Sequence, residues 1–398
     1  MYVTTACIKA DHPWCPSALS GLDSSETLLV IFGSSGLIDT PDRIRQVLDV
    51  CPQSHVMGCS TSGEIHGSEI SDDSLVVAAV RFEKTPVRTA QAAVCDPQDS
   101  YAAGAAIAAQ LNRPSLRAIL VLSDGLHVNG SELVKGLNDT LGGAVVITGG
   151  LAGDGTHFKR TWVLKDRTPQ SGYVTAVGLY GEHVRIGHGS KGGWDKFGPE
   201  RLVTKSNGHV LYELDGRPAL HLYKEYLGDR AAGLPATGLL FPLAIRTSQS
   251  EGKRLVRTIL AVDEDAQSVT FAGDIPQGVF AQFMRANFDR LIQGASDAAM
   301  LTMNSHGNAH PETPTLSIAI SCVGPRLVLG ERTEEETEAT VEILPKGSRQ
   351  IGFYSYGEIS PYESGACDLH NQTMTLRPLA KHNFYASVAH KTTQTPGA

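Results

Sequence analysis

TLLVIFGSSGLIDTPDRIRQVLDVCPQSHVMGCSTSG, residues 27–63, decides the fold class. TLLVIFG is a short apolar run ending at a glycine and reads as a strand. TPDRIRQVLDV reads as an amphipathic helix. Thr40 is its expected cap, and Pro41 takes the first helical position, where a missing N–H is tolerated. HVMGCSTSG returns to strand and breaks into a turn. Strand, helix and strand in this order is α/β patterning.

The pattern extends outward through strands SLVVAAVRF and RTAQAAV, the alanine-rich helix YAAGAAIAAQL, strand AILVLSDG, helix GSELVKGLNDTL and strand VVITGG. After it, RTWVLK, YVTAVGLY and VRIGHGS follow as consecutive strands, which predicts a mixed sheet and not a purely parallel one. Residues 187–208 are rich in glycine and turns, and a fresh set of elements starts at PALHLYKEYL, so a boundary is expected near 205–215. The second half reads as that helix, strands FPLAIRT, LVRTILAVD, SVTFAGD and VFAQFMRA, a helix over NFDRLIQGASDAAMLTM, strand LSIAISCVG, the acidic helix TEEETEATVEIL, and strands IGFYSYGEI and LHNQTMTLRPL. The expected fold is α/β, of α+β type: a two-part chain with mixed, largely antiparallel sheets flanked by helices. Its parts are a lead-in (1–25), a first domain (26–205), a second (206–386) and a disordered tail (387–398). The tripeptides AGD (152–154, 272–274) and GEI (63–65, 357–359) recur in both halves but in opposite order, and they carry little weight as a sign of duplication.

Of the 398 residues 41% are hydrophobic and 19% charged, enough apolar material for a sizeable core. A net charge of -8, scattered along the chain, suits neither a nucleic-acid backbone nor an anionic membrane. Seven widely spaced cysteines without a CxxC pair fit a reduced compartment. With no signal peptide and no membrane-length apolar run, a cytoplasmic location is expected.

Motifs for chemistry mostly fail on context. Residues 187–192 satisfy GxGxxG, but Gly193 and Pro199 block the helix that would meet a pyrophosphate. GCSTS (58–62) misses GxSxG at its last position. His306 and His310 flank Gly307 and Asn308, a loop and not a metal-binding helix face. The acidic run 331–338 reads as a solvated helix face. A hydrolase or transferase using Cys59, Ser60 or Ser123 with His127 or His157 as base is the weaker alternative, and the chain is expected not to be an enzyme.

What remains is glycine concentrated beside polar and aromatic groups in TSGEIHG, LSDGLHVNGSELV, TGGLAGDGTHF, HGSKGGWDKFG, FAGDIPQG and YSYGEISP. Loops of this kind line ligand pockets at strand ends. At these loops the chain resembles the FIST family, a FIST N part followed by a FIST C part that serves prokaryotic signal transduction as a sensory, small-ligand-binding module. The resemblance is carried by GCSTSGEI (58–65), LSDGLHVNG (122–130), GGLAGDGTHFKRTWVL (149–164), ELDGRPALHLYKEYLG (213–228), SCVGPRLVLGERTEEE (321–336), and GFYSYGEISP with LHNQTMT (369–375).

GHGSKGGWDKFGPERLVTKS (187–206) further resembles stand-alone members that bind haem and sense nitric oxide. That resemblance implies output in trans, to a histidine kinase or to a diguanylate cyclase or phosphodiesterase; a homodimer is compatible with it. Non-covalent haem needs an apolar slot and one neutral imidazole on iron. The expected ligand is His188, with Gly187 and Gly189 leaving room for a porphyrin face and Trp194 and Phe197 as walls. His183, His370, Cys59 and Cys322 are rival ligands. The alternative is an amino acid or related metabolite, held in a smaller pocket by Glu64, Asp124, Asp154, Tyr356, Glu358, His370 and Asn371.

Overall fold

The computed structural model describes residues 1–9, 17–143, 145–246, 254–305, 315–361 and 366–381. The expected tail and the His306–His310 loop lie outside the described residues. A first segment runs β1 (Tyr2–Ile8), α1 (Ser17–Ser20), β2 (Thr27–Ser34), α2 (Asp42–Asp49), β3 (His55–Thr61), β4 (Glu64–His66), β5 (Glu69–Ser71) and β6 (Leu75–Arg81). A second runs β7 (Val87–Ala93), α3 (Ser100–Leu111), β8 (Leu116–Ser123), α4 (Gly130–Leu141), β9 (Val146–Leu151), β10 (Val163–Lys165), β11 (Thr168–Gln170) and β12 (Tyr173–Tyr180). The third opens with β13 (Val184–Ile186) and β14 (Gly189–Lys191). A separate sheet then intervenes, built from β15 (Trp194–Lys196) through β23 (Phe280–Ala286) around α5 (Ala219–Leu227). The third segment resumes as α6 (Phe288–Ser305), β24 (Leu316–Cys322), α7 (Val323–Leu329), α8 (Thr333–Ile343), β25 (Arg349–Ser355), β26 (Gly357–Pro361), β27 (Cys367–His370) and β28 (Met374–Lys381).

The three segments build sheets of one design. Their strand orders are β1-β6-β2-β3-β10-β11, β7-β12-β8-β9-β26-β27 and β13-β28-β24-β25-β4-β5. In each, a parallel pair at the centre (β2 with β3, β8 with β9, β24 with β25) is flanked by an antiparallel strand of the same segment. In each, the closing hairpin comes from another segment, so the hairpins are exchanged around a ring. Three backbone bonds close that ring: Ser62 N–H to Tyr354 O (2.8 Å), Tyr356 N–H to Leu151 O (3.2 Å) and Gly153 N–H to Ser60 O (3.1 Å). The mixed α/β class is as expected. The expected boundary near 205–215 falls inside the intervening sheet, and the exchanged hairpins join strands from both sides of it.

Why the apolar runs are unbroken now has a cause. Leu28, Val30 and Phe32 of β2 face a core shared by all three sheets, with Leu120 and Leu122 of β8, Ile318 and Ile320 of β24, and Phe353 of β25. Leu29 and Ile31 face outward beneath Ile44, Val47 and Leu48 of α2. Both faces are buried, so both carry apolar residues. The second sheet has α3 and α4 outside it, and the third has the alanine face of α6, residues Ala295, Ala298 and Ala299.

Local expectations shift in three places. Pro41 occupies the N-cap of α2 itself, and the Thr40 hydroxyl turns back toward Gly36 O at 3.5 Å and leaves the helix end uncapped. The acidic helix is not a plain solvated face: Glu336 is fully buried, accepting from Ser321 Oγ (3.0 Å) and Tyr354 Oη (2.9 Å). The repeated GEI also marks a true structural repeat. Thr61 Oγ1 donates to Glu64, whose other oxygen accepts from Ser74 N–H (3.1 Å) and Oγ (2.8 Å). Likewise Ser355 Oγ donates to Glu358 (2.7 Å), whose other oxygen accepts from Thr373 N–H (3.2 Å) and Oγ1 (2.9 Å).

Burial pushes Glu64 and Glu336 up to about 7 and Glu358 up to about 8, against an ordinary value of 4.5. Between those limits the folded chain holds more protons than the unfolded one, so stability falls as pH rises through the window. His370, pushed down to about 4 by burial, acts in the opposite sense only below its ordinary 6.5. The melting temperature is therefore expected to drop from pH 6.5 to 8.5 and Glu358→Gln to flatten that slope; thermal melts showing a rise over this window would contradict the assignment. A second expectation concerns Gly189, where an added Cβ would lie 2.0 Å from Ala298 O of α6. Gly189→Ala should cost about 1–3 kcal/mol in denaturant unfolding, the usual penalty of overpacking.

Candidate functional site

The turns after β3, β9 and β25 meet at the ring, at the carboxyl ends of the central strands, where open α/β sheets place their ligands. The acids expected to line a pocket here are buried and build the turns. Asp154 accepts from three successive backbone N–H groups, Phe158 (3.0 Å), Lys159 (2.8 Å) and Arg160 (2.9 Å), and from the Tyr356 hydroxyl. Tyr356, fully buried, stacks on Phe158 at 4.9 Å. Its phenol is raised by burial first and by the Asp154 charge second.

Asp124 accepts from Leu126 N–H (2.8 Å), His127 N–H (3.0 Å), Thr161 Oγ1 (2.9 Å) and Gly172 N–H (2.8 Å), and it meets His127 Nδ1 at 3.1 Å. Asn371 ties Tyr356 O (3.0 Å) to Thr258 N–H (3.3 Å), joining the ring to the intervening sheet. His370 Nε2 lies 3.0 Å from Ser360 O. These groups brace the turns at the ring.

A cleft of about 540 Å³ opens beside them, and each segment contributes a wall. Ser62 and Ile70 come from the first segment, Gly155, Thr156 and His157 from the second, and Arg326, Glu331 and Glu334 of α7 and its neighbours from the third. Ser62 Oγ accepts from Gly155 N–H at 2.9 Å. Arg326 donates to Ser62 O and holds Asp72 through two bonds of 2.9 and 2.8 Å. Its guanidinium also lies 5.5 Å over the Tyr354 ring. Position 63 must be glycine: its φ is +129°, and a Cβ there would lie 2.3 Å from Arg326 Nη1. The sequence reading passed from strand LSIAISCVG to the acidic helix without an element between them and gave Arg326 no role; Pro325 sits in the first turn of α7, where proline is tolerated.

The residues expected to hold haem are drawn into separate surroundings. The room at Gly189 is taken by the α6 backbone. Trp194 packs with Ala244, Met284, Leu291 and Leu329, and its indole N–H donates to Gln372 O at 3.1 Å. Phe197 belongs to the aromatic cluster of Tyr226 and Phe241. His188 and His183 are half-buried beside β13. Burial pushes the Cys59 and Cys322 thiols well up.

The nucleophile arrangement is not assembled either. Ser60 Oγ accepts from Trp162 N–H (3.0 Å), Ser123 Oγ donates to Asp124 O (3.1 Å), and His127 is engaged by Asp124. His157 lies on the exposed rim of the cleft. Among the described residues no helix is long and apolar enough to cross a membrane.

Two Mycobacterium tuberculosis proteins, the uncharacterized proteins MT0656 and Rv0628c, are each 26% identical over 280 residues, 68% of this chain and 67% of theirs. The solved structure of cyanuric acid hydrolase from A. caulinodans covers 96% of this chain and 99% of its own, with a TM-score of 0.36 and 9% identity. The expectation that the chain is not an enzyme is corrected on this finding, a hydrolase that aligns along nearly the whole length of the chain. A likeness of this size carries no argument for hydrolysis. The FIST N domain matches residues 27–217 and the FIST C domain residues 219–361, so the chain belongs to the FIST family of sensory, small-ligand-binding modules.

Proposed function

We propose that the cleft at the ring is the sensory site and that it takes a small zwitterion of the amino-acid class. The observation that carries this reading is the origin of its walls: one cleft touches all three segments, so a ligand seated there contacts every segment of the ring. A ligand shifts a conformational equilibrium only by its differential affinity for the two states, and a site between bodies supplies that difference.

The lining offers a cation on one side and carboxylates on the other. Arg326 is about four-fifths buried while its partner Asp72 is mostly exposed. An ion pair with one exposed member is worth little, of order 0–1 kcal/mol, and is readily exchanged. A ligand carboxylate replaces Asp72 on Arg326, its ammonium faces Glu331 and Glu334, and the Arg326–Asp72 link between the third and first segments is released. His188, Gly189, Trp194 and Phe197 lie outside the lining of this cleft, and the proposal does not use them.

Titration calorimetry against the twenty standard amino acids is the test. At least one should bind saturably, and Asp72→Asn should tighten it several-fold by freeing the guanidinium. The pair Glu331→Gln and Glu334→Gln should weaken it about tenfold, the ~1.4 kcal/mol of one charge-assisted bond. Absence of binding across the panel, or an affinity indifferent to Asp72→Asn, overturns the proposal.

A further inference from the structure

Arg377 lies in the middle of β28 with its side chain turned into the shared apolar core. It pairs across the sheet with Ile318, a core residue. The same place in the other two sheets is held by Ala78, opposite Val30, and by Val177, opposite Leu120. Both are members of the shared core. One position of the repeat is therefore apolar twice and cationic once.

The arginine is 1% exposed. Its Nη2 donates to Ser360 Oγ at 2.9 Å and its Nη1 reaches Gly187 O at a long 3.4 Å. Nε has no acceptor, and among the described residues no carboxylate lies within ion-pair distance of the guanidinium. Buried acids of this fold are treated otherwise: Glu64, Glu358, Asp124 and Asp154 each receive three or more hydrogen bonds. Burial lowers Arg377 to about 9, with the neighbouring Cys367 opposing it. A guanidinium kept in an apolar core without a counter-charge is costly unless something anionic is paired with it.

We propose that Arg377, Ser360 and the Gly187 turn form an internal anion site, separate from the cleft, that receives the carboxylate of a small ligand. Arginine suits the task because its fork offers Nε and Nη donors to the two oxygens of a planar carboxylate, and Nε is the donor without an acceptor. Gly187 O stands at Nη1 and Ser360 Oγ at Nη2, with His370, whose imidazole is held neutral by burial, placing Nε2 3.0 Å from Ser360 O.

Acetate is the probe, compared with chloride at matched ionic strength in thermal melts at pH 7. The native chain should gain melting temperature saturably with acetate, by several degrees at saturation, and Arg377→Met should lose the gain. If Arg377→Met fails to fold, Ser360→Ala should fold and raise the acetate concentration needed for half the effect several-fold. Equal melting temperatures in acetate and chloride, a gain surviving in Arg377→Met, or an unchanged midpoint in Ser360→Ala overturns the site. So does a gain abolished by Arg326→Gln instead, which would assign acetate to the cleft.

Discussion

Exchange of hairpins around a ring is the constraint on which the rest of the structure depends. Each sheet lacks its own fifth and sixth strands and borrows them from a neighbour, and the bonds from Ser62, Tyr356 and Gly153 lock the three loans together. No segment can leave the ring without exposing an unpaired strand edge and one face of the shared core, and both costs are large. The core exists only because the ring closes: Phe32, Leu122, Ile320 and Phe353 come from three segments and meet nowhere else. Closing contacts so distant in sequence carries a loop entropy that only the finished core offsets.

The ring also explains the buried acids. A chain that leaves one sheet to join another must turn sharply inside the molecule, where its backbone N–H groups have no water to meet. Glu64, Glu358, Asp124 and Asp154 take up those donors, so the sensory loops are stiff at their bases. The cleft lies immediately above this stiff floor. Beside it stands the Arg326–Asp72 pair, one bond layer removed from the ring and exposed on the Asp72 side.

Much of this was legible in residues 27–63, because a strand buried on both faces and an amphipathic helix have patterns that depend on near neighbours alone. Of the glycine loops singled out in the sequence, 58–65 and 149–158 reach the cleft, through Ser62 and through Gly155, Thr156 and His157. The partners of each residue were not legible. Gly189 has space around it in the sequence and an α6 carbonyl against it in the fold, more than a hundred residues away. Glu336 sits in an acidic run whose other members face water, and only the position of Ser321 and Tyr354 draws it inward. The repeat itself was hidden because sheets packed alike need only apolar residues at matching places, and β2, β8 and β24 share hydrophobicity without sharing identities. GEI survived in two copies because its glutamate has the same backbone to satisfy in both; in the second segment the turn is spelled AGD and its acid sits one place earlier, on other donors.

A structure built from like units shows most where the units differ. Ser62, Gly153 and Tyr356 make equivalent ring bonds, yet they differ in bulk: Tyr356 fills its own surroundings, stacking on Phe158 and reaching Gly125 and Asp154, while Ser62 leaves a cleft beside it. Ala78, Val177 and Arg377 make equivalent strand pairs, yet one of them carries a charge whose desolvation costs on the order of several kcal/mol. Packing alone gives no reason for the second difference, since the other two units solve the same packing problem with an apolar residue. A departure that costs stability and gains nothing in packing is where recognition is expected to reside, and in this molecule it falls at Arg377.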